Sequence, residues 1–218
     1  MIKNWNELDL KTYYEVYKTT TNALLPEDEK RFRCTAILAG ITYDELMEQP
    51  IERTMEMVAD SAFLYYRPTP QKVRKTIDIN GRTYCLTKDA SSMSTSQYID
   101  YNAVIVEKYE EHICDLLSII LVPKGHNYND GYDMEEVRKD MESMSVTEAL
   151  GITDFFLRLY RRSLRRTLLY SSAAVTLMRI RAPKEMKKEL KEMERQYSKQ
   201  VNELLTMCGN LSLKQLLN

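Results

Sequence analysis

The sequence is short of the residues that most chemistry needs. It holds two histidines, His112 and His126, and four cysteines, Cys34, Cys85, Cys114 and Cys208, among 218 residues. A metal cluster would have to gather carboxylates from distant segments. His112 and Cys114 stand two apart on a predicted helix and so point different ways. The cysteines are far apart and show no paired spacing, which favours a reduced compartment. The longest apolar stretch, Leu116–Val122, is far too short to cross a bilayer. No N-terminal signal pattern is read. G-x-S-x-G, Walker and Rossmann patterns are missing too, as is any internal repeat. These absences predict a non-enzymatic chain with no cofactor, no bound metal and no membrane association.

What is there favours helices. Hydrophobic content of 44% and charged content of 29% are ordinary for a folded protein with a sizeable core. The expected fold class is mainly α: a single helical domain with one inserted β-hairpin at about 73–87. Four segments are read within it. These are an N-terminal helical lobe at 1–66, a connector and hairpin at 67–94, central and long helices at 95–182, and a Lys/Glu-rich C-terminal helix at 183–218.

In chain order, Asp9 can cap a helix at 10–21, and Pro26 can open another that stops at Gly40. Thr42 and Glu45 form a capping box for a short helix. Pro50 opens one to about Tyr65 with Met55, Val58, Ala59 and Ala62 inward. Asn80-Gly81 favours a type I′ turn, and Ile77, Ile79, Tyr84 and Leu86 alternate around it. Because a lone hairpin is marginal, it must pack on helices or pair with another chain. Tyr98, Tyr101, Ile105, Tyr109, Ile113, Leu116 and Ile120 predict one long central helix from a Ser94 cap to Pro123. Asp133 and Glu136 cap a short acidic helix. Ser145 and Glu148 start another that closes at Gly151. A long helix then runs from Thr153 or Asp154 to Arg181. Pro183 opens the last long helix, which stops near Gly209, and Ser212 caps a final turn.

Charge is segregated. Residues 1–60 carry −5, 61–94 carry +4, 95–150 carry −8 and 151–218 carry +8. Either the segments neutralise one another within the fold, or they offer separate faces to partners. The sharpest basic feature is Arg158, Arg161, Arg162, Arg165 and Arg166 along one side of the long helix. Phe156, Leu159, Tyr160, Leu164 and Leu168 occupy much of the other. Such a face can fork to phosphate, or it can meet the acidic segment 130–148 of its own or a neighbouring chain. The second is preferred, with DNA as the alternative partner.

On the last helix Met186, Leu190, Met193, Tyr197, Val201 and Leu204 step by three and four. This gives about three heptads of seam for its own domain or for a partner helix. The loop from His126 to Asp133 has the composition of a calcium loop but the wrong register. Counting from Asn127, Gly131 falls fifth rather than sixth, and the twelfth place is Arg138. A turn with Asp133 capping the next helix accounts for the same residues.

The order of several short motifs carries a resemblance. Trp5-Asn6-Glu7-Leu8 precedes a helix, followed by the hairpin Ile79-Asn80-Gly81-Arg82-Thr83-Tyr84 and the helix start Gln97-Tyr98-Ile99-Asp100. Then come Pro123-Lys124-Gly125, Tyr128 to Asp133, and Ala149-Leu150-Gly151-Ile152-Thr153-Asp154-Phe155-Phe156. Over most of residues 1–170 this resembles small helical proteins from the tail regions of tailed bacteriophages, especially those of gut Bacteroides hosts, including crAss-like phages. The resemblance implies a virion-associated cargo or minor tail-region protein, or a tail-assembly chaperone. Its partners would be other phage structural proteins or copies of itself, in the virion or the infected host's cytoplasm. It brings no catalytic residues, and the Lys/Glu-rich C-terminal helix lies outside it.

Overall fold

The computed structural model describes residues 1–88, 92–106, 112–181 and 183–210. The fold is mainly α with one small antiparallel sheet. The chain divides into two compact units that interleave in sequence, 1–86 with 110–153 and 87–109 with 154–218.

The first unit opens with Trp5, whose Nε1 donates to the carbonyls of Phe63 and Tyr66. Asp9 caps α1 (Leu10–Thr21) by accepting from the Thr12 amide at 2.7 Å. Flanking that cap, the Leu10 amide donates to Met144 and the Val146 amide to Leu8, which ties the N-terminus to a segment far along the chain. α2 (Glu27–Ala39) stops at Gly40, whose φ of 69° suits a residue without Cβ. The capping box at Thr42 and Glu45 starts α3 (Tyr43–Met47).

α4 (Ile51–Asp60) is shorter than expected, because a 3-10 helix takes over at Ser61–Tyr65. Its inward residue is Thr54, whose hydroxyl bonds the Pro50 and Leu46 carbonyls. The expectation that Met55 and Ala59 point inward is wrong: both are exposed. Apolar spacing marks a face of the helix, but the chain's own core does not take that face.

β1 (Thr76–Ile79) and β2 (Arg82–Leu86) form the expected hairpin, with φ of 50° at Asn80 and 78° at Gly81, as a type I′ turn requires. Ile77, Ile79 and Tyr84 are buried on one side. A third strand, β3 (Leu121–Pro123), pairs with β2 so that Tyr84 faces Pro123 and Leu86 faces Leu121. The hairpin therefore gains its stability within the chain, from an added strand and a helical layer.

That third strand corrects the reading of one central helix. α5 (Thr95–Val106) and α6 (Ile113–Ile120) are separate helices belonging to different units. His112 stands before α6 outside helical geometry, with φ −124° and ψ 24°. Tyr109 lies outside the described residues. The nearly all-round apolarity of 116–122 arises because α6 is buried over most of its surface and then turns directly into a strand that starts at the buried Leu121.

α7 (Met134–Glu142) starts at Asp133, which accepts from the amides of Glu135 and Glu136. α8 (Val146–Arg181) is one continuous helix, so Gly151 is no stop. It is buried inside α8 where the 67–75 connector crosses. A Cβ there would overlap the Gln71 carbonyl oxygen and sit 3.2 Å from its carbon. The approach is held by the Gln71 amide on the Thr147 carbonyl (2.9 Å), and by Gln71 and Asn6 on the Thr147 hydroxyl.

In the second unit Ser94 caps α5 through the Gln97 amide. Tyr101 packs 5.1 Å from Phe156 and 5.0 Å from Tyr160, ring centre to ring centre. Tyr160 donates to the Asn102 side chain. α9 (Lys184–Asn210) runs past Gly209. The cap expected at Ser212 lies outside the described residues.

Candidate interaction surfaces

The polar clusters of the first unit are absorbed by the fold. Asp140 is buried on α7, yet it receives three donors from the hairpin. These are Asn80 Nδ2 at 2.9 Å, Arg82 Nη1 at 3.3 Å and the Tyr84 hydroxyl. Glu136, one turn earlier, holds the other Arg82 nitrogen, and Asn80 also reaches the Ser143 hydroxyl. Bonds to Glu136 and the adjacent carboxylates push the Arg82 guanidinium further up. Burial first, then the bond to Asp140, raises the Tyr84 phenol to about 12. A buried carboxylate surrounded by donors fixes the hairpin on α7. Asp115 plays a similar part, holding Arg138 Nε at 2.7 Å and lying 2.9 Å from His112 Nδ1.

Reactivity is suppressed at the buried thiols. Desolvation raises Cys114 to about 12 and Cys34 to about 11, so both stay protonated and unreactive at neutral pH. Cys34 lines a cleft of about 190 Å³ with Thr20, Lys30, Arg31, Ser61 and Tyr65. The cations there already have partners: Lys30 meets Glu27 at 2.7 Å, and Arg31 Nε donates to the Tyr65 hydroxyl at 2.9 Å.

The acidic segment thus finds its bases close by. Glu136 and Asp140 meet Arg82, Asp115 and Glu142 meet Arg138, and Asp133 is a helix cap. Of the arginine face, Arg158 leaves 67% of its side chain in solvent and pairs with Asp154 one turn earlier at 2.9 Å. Arg162 is exposed. The side chains of Arg161, Arg165 and Arg166 lie outside what the structure describes.

On α9 the seam is open at two places. Met186 and Met193 are exposed, Leu190 and Tyr197 are half-buried, and the Val201 and Leu204 side chains lie outside the described ones. The end of α8 is similar, with Tyr170, Leu177, Met178 and Ile180 exposed. Between Tyr170 and Met193 these two helices present six large apolar side chains to solvent. The charged side of α9, with Lys188, Lys191, Glu192, Arg195 and Ser198, borders a groove of about 1100 Å³. At helical spacing it stands opposite the seam.

Sequence reasoning missed the Asp140 site, because its three partners come from a hairpin some 60 residues away. The only advance signal was an acid on the inner side of a short amphipathic helix. No helix among the described residues is long and apolar enough to cross a membrane. In comparison with known proteins, the chain matches no family model, no curated protein and no solved structure.

Proposed function

We propose that this chain is a non-enzymatic structural, cargo or assembly protein of a tailed bacteriophage particle, acting through protein–protein contacts. The observation that carries the contact-based reading is the exposure of Tyr170, Leu177, Met178, Ile180, Met186 and Met193 on two long helices. The phage setting rests on the order of motifs from Trp5 to Phe156. The polar clusters of the first unit support the non-enzymatic part: their carboxylates and cations hold one another, and none converges on an open, reactive centre. The partners are other phage structural proteins or further copies of this chain, met in the virion or in the infected host.

Mass spectrometry of purified particles is the test. A packaged protein is present in many copies. A tail-assembly chaperone is absent from particles and co-purifies with the tape-measure protein from infected cells. Absence from both, or turnover of a small substrate abolished by one point change in a folded variant, overturns the reading. The 154–181 helix gives the other reading, a nucleic-acid-binding module, since Arg158 and Arg162 are both exposed on it. That reading requires duplex binding whose affinity falls steeply with salt and is weakened by the double change Arg161→Glu and Arg165→Glu.

A further inference from the structure

The outward side of α4 is left over from the fold. Ile51 and Met55 stand one turn apart with 73% and 52% of their surface in water, and Ala59 continues the same row. Met47, at the end of α3, is 55% exposed. Glu52 and Glu56 lie one position further round and edge the row on one side, with Glu48 just before the helix. All three glutamates are exposed, and among the described residues none has a cation. The opposite edge is closed by Thr54, buried against the chain's own body.

We propose that this row is a docking face for an amphipathic helix of a different protein, one that carries lysine or arginine along a single edge. A helix is the occupant that fits, since a row of residues at four-residue spacing packs between the side-chain ridges of another helix. Methionine side chains adapt to a partner's shape.

The glutamate edge decides which partner. Two copies of α4 packed antiparallel across a two-fold axis would set Glu52 and Glu56 against the same residues of the other copy, without a counter-charge. Packed parallel, each glutamate edge would meet the Thr54 edge, which the chain's own body covers. An anionic lipid surface is repelled by the same edge. A basic helix satisfies both the apolar row and the three glutamates. The inference stands on α4 and the end of α3 before it, and goes beyond the phage reading.

The test uses the full chain and two synthetic helical peptides with one leucine stripe, edged by lysine in one and by glutamate in the other. The lysine-edged peptide binds, and the glutamate-edged one binds at least about fivefold more weakly. Ile51→Ser with Met55→Ser abolishes binding and leaves the melting temperature unchanged, since both positions are exposed. Glu52→Lys with Glu56→Lys reverses the preference between peptides. Equal binding of the two peptides, or binding that survives the double serine change, overturns the proposal. So does self-association of the unmodified chain that the serine changes abolish, or binding to phosphatidylserine vesicles.

Discussion

Arg82 and Arg158 each meet a carboxylate, and the resemblance ends there. Arg82 reaches from the hairpin to α7 and meets Asp140, which is also bonded by Asn80 and Tyr84 across some 60 residues of sequence. Arg158 meets the half-buried Asp154 one helical turn away, with two-thirds of its own side chain in water. The first arrangement takes a carboxylate out of solvent and returns three donors, so losing any member leaves another group unanswered. The second trades one hydrated charge for another and restrains nothing beyond its own helix. Charge of the first kind specifies how elements fit together; charge of the second kind remains available to a partner.

The comparison breaks most visibly at Asp140. In Asp140→Ala the guanidinium, the amide and the phenol lose their shared acceptor inside the protein. We expect a loss of about 3 kcal/mol of unfolding free energy, measured by urea denaturation. A loss below about 1 kcal/mol would place this cluster with the surface pairs. The phenol adds a pH signature. Because burial and the Asp140 bond hold Tyr84 protonated to about 12, its contribution is complete below about pH 10, the ordinary tyrosine value. It is lost as pH climbs through 12, since there the unfolded chain has released a proton that the folded one keeps. Tyr84→Phe should therefore flatten part of the decline in melting temperature between pH 9 and 11.5. An unchanged slope would show that the phenol does not titrate as a buried group.

A smaller but sharper effect is expected at Gly151. Alanine favours a helix interior over glycine by about 1 kcal/mol. Here, however, the new methyl must displace the Gln71 backbone, not a flexible side-chain end. Overpacking of this kind costs about 1–3 kcal/mol. Gly151→Ala should thus destabilise by up to about 2 kcal/mol, whereas a substitution at an exposed helical glycine would stabilise. A raised melting temperature would mean that the connector does not cross α8 at this point.

The same position shows what the sequence could and could not disclose. Local signals were legible: Asp9, Thr42 with Glu45, Ser94 and Asp133 cap their helices, Gly40 stops α2, and Asn80-Gly81 turns the hairpin. Each acts within four residues, where stereochemistry dominates. Misreadings arose wherever a distant segment decided the outcome. Gly151 carries the chemistry of a helix end but serves a crossing chain 80 residues earlier. Leu121–Pro123 is as apolar as the helix before it, and pairing with β2 makes it a strand. The row of Met55 and Ala59 has core spacing, yet the core has no place for it. The candidate surfaces were legible as faces, because the helical period fixes a face. Their occupants were not, since that depends on another molecule.

At the turn, Asn80 and Gly81 both hold positive φ, and a β-branched side chain at 81 is strained there whatever space surrounds it. Gly81→Val should cost about 1–2 kcal/mol. Gly81→Asn should cost a few tenths, because asparagine tolerates that region. Equal losses from the two changes would mean that the turn is not held in this form, and that Asn80 reaches Asp140 by some other route.

The smallest effect is expected where the comparison predicts almost none. Arg158→Ala removes a pair between neighbouring turns whose arginine is exposed, and such a pair contributes about 0.3–0.5 kcal/mol. Alanine's better helix propensity offsets part of that loss. Unfolding free energy should stay within about 0.5 kcal/mol of the parent, and raising the salt from 50 to 500 mM should leave the difference unchanged or smaller. Arg82→Ala offers the contrast, because it strips both Glu136 and the buried Asp140 of their cation. It should lower the melting temperature clearly at either salt concentration, since burial shields Asp140 from counterions. If the two arginine changes prove equally harmless, Asp140 is satisfied by Asn80 and Tyr84 alone, and the guanidinium is a bystander. If Arg158→Ala destabilises as much as Arg82→Ala, the α8 face is engaged by more than Asp154. Its charge would then belong to the fold instead of remaining free for a phosphate or a partner's acids.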